Sequence, residues 1–84
     1  MEKKELIITI AGTAASGKSR MTYLLKKFLK EQGFEVEQEY GPDHPNEKNF
    51  NKVMSNNFDS AIDVIRSTRK IVLKEAQLNR NYDK

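Results

Sequence analysis

The stretch Gly12-Thr13-Ala14-Ala15-Ser16-Gly17-Lys18-Ser19 constrains this chain more than any other. It meets the pattern G-x-x-x-x-G-K-[ST] at every fixed position. Glycines let the chain close into a tight loop whose backbone N–H groups converge on an anion. The lysine sets an ammonium against outer phosphates. A hydroxyl at Ser19 suits the Mg²⁺ that travels with a nucleoside triphosphate. A helix opening here would aim its positive end at the same point.

The flanks agree with that chemistry. Leu6-Ile7-Ile8-Thr9-Ile10-Ala11 is a short apolar run rich in β-branched residues, the pattern of a strand covered on both faces. Beyond the loop, Met21, Leu24, Leu25, Phe28 and Leu29 recur at three- and four-residue spacing, one face of a helix. An ordinary Gly/Ala/Ser turn between strand and helix is the alternative reading.

The 84 residues suffice for one small domain, residues 1–84, with a thin core. There is no cysteine, so disulfides and cysteine-ligated zinc are excluded. Fifteen Lys+Arg against twelve Asp+Glu give a formal charge of +3, with no long like-charge block. Lys26, Lys27 and Lys30 suggest the solvated face of a helix more than a nucleic-acid surface. No apolar run approaches the roughly 20 residues of a membrane helix. Lys3 and Lys4 before an apolar stretch mimic a secretory signal, but cleavage near Ala14-Ala15 would destroy the loop. A cytoplasmic protein is expected.

Residues 1–5 read as a loose charged lead-in and 79–84 as a loose polar tail. A strand is expected over about Glu5–Ala11 and a helix from about Lys18 to Gln32, stopped at Gly33. Phe34, Val36, Gln38 and Tyr40 alternate with Glu35, Glu37 and Glu39, the period of an edge strand. Gly41-Pro42-Asp43-His44-Pro45 breaks regular structure. Two short helices, about Glu47–Ser55 and Asp59–Ser67, are expected around a break at Asn56-Asn57, with one continuous helix as the alternative. Lys70–Gln77 reads as a third strand centred on Ile71-Val72-Leu73. That order predicts an α/β fold: a minimal three-stranded parallel sheet with helices packed on it. Ligands of such sheets bind at the carboxyl ends of the strands. The loop, Gly41–Pro45 and Glu75–Leu78 would meet there.

Through GTAASGKS between strand and amphipathic helix, residues 6–40 resemble the P-loop nucleoside-triphosphate-binding superfamily and its nucleotide and small-molecule kinases. The chain also resembles the very small, truncated P-loop proteins of phages, which end in a strand of the form I-V-L-K-E-A-Q-L. The resemblance implies a Walker A site for Mg²⁺ with ATP, GTP or another nucleoside triphosphate, and a minimal kinase or NTPase. By it, Gly12, Gly17, Lys18 and Ser19 would hold phosphates and Mg²⁺, with Thr13, Ala14, Ala15, Ser16 and Arg20 completing the loop. It implies an acid after an apolar strand, and Glu75 is the candidate metal partner of Ser19, although Lys74 interrupts the run. Glu75 is otherwise a solvated strand end. Asp43 would serve as the acceptor's general base, and is otherwise a turn residue between two prolines. Lys18, Glu75 and Asp43 form the implied catalytic set.

The resemblance also implies strand order 2-3-1 and a fourth strand that this chain does not have. The first-strand edge would then be bare, and a homodimer through that edge is expected. Order 2-1-3 would remove that expectation. Lid arginines come later in typical family members. Their absence raises a second function class, a non-catalytic nucleotide- or phosphate-binding regulatory module.

Overall fold

The computed structural model describes residues 4–14 and 16–77. Three helices follow in chain order: α1, Lys18–Glu31; α2, Glu47–Ser55; and α3, Phe58–Thr68. Each forms where apolar residues recur at helical spacing, and each has an identifiable start and stop.

Helix α1 opens directly on Gly17, which adopts φ 94°, and its first turn closes through Met21 N–H donating to Gly17 O at 3.0 Å. It ends in a Schellman turn. Gly33, at φ 89°, donates to Lys30 O, and Phe34 donates to Leu29 O, both at 3.0 Å. Helix α2 is capped by Asn46, whose Oδ1 accepts the Asn49 N–H at 2.8 Å. Its far end is capped by another helix's side chain: Arg20 Nη1 donates to Met54 O and Asn56 O, both at 2.7 Å. Asn57, left-handed at φ 52°, turns the chain into α3. Glu47 and Asp59 stand in the first turns of α2 and α3, where the helix dipole favours a carboxylate.

The helices meet through rings. Tyr23 of α1 lies between Phe50 of α2 and Phe58 of α3, with centroids 6.2 and 5.4 Å away. Tyr40 and His44 pack edge-on against Phe50, each at 5.8 Å. Phe50 and Met54 are the buried apolar residues of this core. Lys26 is buried beside them, its Nζ 3.2 Å from Asn51 Oδ1 and 5.2 Å from the Phe50 ring centre.

Burial pushes the Lys26 ammonium below its ordinary 10.5, against the Glu47 carboxylate, which raises it, and with Lys30, which lowers it further. Burial, and then Glu47, pushes the Tyr40 phenol above its ordinary 10.0. The two shifts have opposite consequences for stability. The Lys26 penalty is fully present below its folded pKa, so stability rises with pH up to 10.5. The Tyr40 penalty is absent below 10.0 and sets in above it, so stability falls there. In thermal melts, Lys26→Met is expected to remove the rising limb and Tyr40→Phe to soften the alkaline fall. An unchanged rising limb in Lys26→Met would contradict this.

The expected α/β fold is not what the chain adopts. Among the described residues there is no strand and hence no parallel sheet in order 2-3-1. The three segments 5–11, 34–40 and 70–77 are non-helical and outside any ladder. Leu6 and Leu73 are 90% and 92% exposed, and Ile7, Ile8, Phe34, Ile71 and Val72 are all more than half exposed. Parallel sheets are stable when helices cover both faces. Here the three short helices meet one another through Tyr23, Phe50 and Phe58, while Leu24, Phe28, Val53 and Val64 on them stay exposed, so no helix layer covers a sheet. With no sheet there is no first-strand edge, and the homodimer expected on it loses its premise. Residues 1–3 of the expected lead-in and the whole of the expected tail, 79–84, lie outside the described residues. No helix among the described residues is long and apolar enough to cross a membrane.

Candidate phosphate site

The loop before α1 closes on itself. Ser16 N–H donates to Thr13 O at 3.2 Å. Lys18 Nζ folds back over the loop and donates to Gly12 O at 3.0 Å and to Thr13 O at 2.8 Å. An ammonium has three donors. Two are used on the loop's carbonyls, and the third is left for an anion. Helix α1 has no side-chain cap and no acidic residue in its first turn. Its first amides and its dipole therefore favour negative charge from outside the chain.

Gly17 is held there for two reasons. Its φ of 94° is a conformation L side chains rarely adopt, and a Cβ would stand 2.6 Å from Ile65 Cδ1. Helix α3 thus closes on the back of the loop. Gly17→Ala should cost about 1–2 kcal/mol in backbone strain alone. Adding Ile65→Ala should recover the part due to the clash and leave the strain. Urea denaturation of the single and double variants checks both parts, and a Gly17→Ala midpoint equal to that of the native chain would contradict the assignment. At Gly12 a Cβ would meet the Ser16 hydroxyl at 2.6 Å.

Two hollows meet at Lys18. The first, about 220 Å³, joins Lys18, Ser19 and Thr22 of α1 to Gln38, Tyr40, Asp43, His44 and Phe50. The second, about 240 Å³, runs along Gly12, Thr13, Ser16 and Gly17 and is closed by Ile65, Arg69 and Lys70. Half-buried Ile10 lines both. The His44 ring is steadied by Asn49, with Nδ1 3.3 Å from Oδ1.

The residues expected at the site divide. Gly12, Thr13, Ser16, Gly17, Lys18 and Ser19 line the hollows, and Asp43 shares the first with Lys18 and Ser19. Ala14 is exposed beside them, and Ala15 lies outside the described residues. Arg20 belongs elsewhere, holding the last carbonyls of α2. Glu75 is exposed and lines neither hollow, so the structure does not bring it to Ser19. Its expected place depended on a strand ending at the loop, and that strand is absent among the described residues. Arg69 and Lys70, at the end of α3, stand beside the loop instead.

The donors present suit a hydrated Mg²⁺ brought in by phosphates. Mg²⁺ prefers oxygen ligands and takes one or two protein groups alongside substrate phosphates. Ser19 and Asp43 line the same hollow and carry oxygens of that kind. A metal cage of three or more His, Asp or Glu is not found among the described residues. Comparison of the chain with protein-family models, curated proteins and solved structures finds no match.

Proposed function

We propose that residues 12–19 bind the phosphates of a Mg²⁺-nucleoside triphosphate such as ATP or GTP. The observation that carries this reading is the placement of Lys18, clasped to Gly12 O and Thr13 O at the junction of two hollows, directly at an uncapped helix start. Lys18 supplies a positive charge and the α1 amides supply donors. Arg69 and Lys70 add charge from the chain just past α3. Ser19 and Asp43 are the residues that would meet the metal. Mg²⁺ would bridge and neutralise phosphate oxygens, and the chain's own groups would fix their position.

A second reading, phosphoryl transfer or hydrolysis, is favoured by the presence of Asp43 and His44 in the hollow that holds Lys18 and Ser19. A carboxylate beside the phosphates can take a proton from an acceptor hydroxyl. Against it, Arg20 is committed to α2 and Arg66 to Asp63. Among the described arginines, Arg69 then remains beside the loop for charge stabilisation.

Calorimetry with Mg-ATP and Mg-GTP tests the binding reading. One saturable site is expected, and no heat at millimolar nucleotide would contradict it. Phosphate release that Asp43→Asn abolishes would establish turnover. Binding without release would leave the regulatory module.

A further inference from the structure

We infer that the hollow between Lys18 and the Gly41–His44 turn is a base site that takes an amino-bearing nucleobase, a reading that rests on the phosphate site proposed above. Three observations point to it. The hollow, at about 220 Å³, falls below the roughly 300–1,000 Å³ of sites that hold a whole drug-sized ligand. It suits one ring system, with the phosphates left on the loop. Its walls include the half-buried rings of Tyr40 and His44, held edge-on against buried Phe50, so ring surface is already in place there. Gln38 also lines it, and Gln38 Oε1 is shut off from solvent with no hydrogen-bond partner.

A buried acceptor without a donor is costly, and such groups call for a partner. An exocyclic amine of adenine, cytosine or guanine is a donor of the right kind on a ring that fits the walls. The neighbouring turn is anchored at its ends, by the Tyr40 and His44 rings on Phe50, and is exposed between them at Gly41, Pro42 and Asp43. A ring reaches Gln38 by displacing that exposed middle. Lys18 and Ser19 form the opposite end of the same hollow, so base and phosphate sites are continuous.

The test compares Mg-ATP, Mg-GTP and Mg-CTP with Mg-tripolyphosphate, a probe that has phosphates and no base, on the full chain and on Gln38→Leu. At least one nucleotide is expected to bind about tenfold more tightly than tripolyphosphate, and Gln38→Leu to lose that gain while keeping its affinity for tripolyphosphate. Gln38→Leu removes an unpaired acceptor, so its melting midpoint should not fall, and retained tripolyphosphate binding reports a folded loop. Tripolyphosphate that binds as well as every nucleotide, or a nucleotide preference that survives Gln38→Leu, overturns the base site alone. Tripolyphosphate that fails to bind the native chain overturns the phosphate reading and the base site with it.

Discussion

Lys18→Ala is expected to weaken Mg-ATP binding on the order of a hundredfold while leaving helix content unchanged. Each hydrogen bond from a charged donor contributes roughly 1.5–3 kcal/mol, and ~1.4 kcal/mol is tenfold in affinity. The substitution removes one such contact to phosphate. It also removes the clasp on Gly12 O and Thr13 O that ties the loop to the start of α1. The two losses act in the same direction. Lys18 is half-buried at the loop and forms no part of the aromatic core, so circular dichroism should be the same for both proteins. Lys18→Met keeps the stem and loses the charge, and it should behave like the alanine variant if charge dominates. Unchanged affinity in either variant would contradict the role assigned to the ammonium.

Phe50→Ala is expected to have the largest effect on folding. Truncating a buried phenylalanine costs about 3–5 kcal/mol. Phe50 is 3% exposed, and it contacts Tyr23, Tyr40, His44 and Lys26 at once. It therefore joins α1, α2 and the chain between them. Domains of this size have only about 5 kcal/mol or somewhat more in hand. The variant should be largely unfolded at room temperature, with helical signal lost in a single transition or already absent. Val64 is a useful contrast, since it is 60% exposed on α3, and Val64→Ala should shift stability by less than about 0.5 kcal/mol. Urea denaturation of the two variants beside the native chain checks the pair. Similar midpoints for Phe50→Ala and the native chain would show that the ring cluster is not the core.

The helices were legible because their signal is local. Apolar residues at three- and four-residue spacing, a glycine after Gln32 and two asparagines at 56–57 place all three within one residue of where they stand. The strands were not. Period and β-branching report that a segment suits an extended backbone, but not that a partner will come to pair with it. Ile7, Val72 and Leu73 have strand character and yet remain exposed, because no segment among the described residues pairs with them and no helix covers them.

The candidate site follows the same division. The loop and Asp43 were legible, as a motif and as a turn that the aromatic cluster draws toward α1. Glu75 was misplaced with the strand that carried it. Arg20, expected at the loop, turns instead to the end of α2, because residues two apart on a helix face different ways. Lys18 turns to the loop and Arg20 turns to α2. Arg69 and Lys70 left no signal in the sequence: they come to the loop because Ile65 packs on Gly17 and Arg69 follows Ile65 by one helical turn, a contact between residues far apart in the chain.

The most direct measurement is a titration of the ¹⁵N-labelled chain with Mg-ATP, followed through backbone amide resonances. Saturable shifts are expected at Gly12, Gly17, Lys18 and Ser19, absent in Lys18→Ala. Shifts confined to other parts of the chain, or loop shifts that persist in Lys18→Ala, would contradict the phosphate reading.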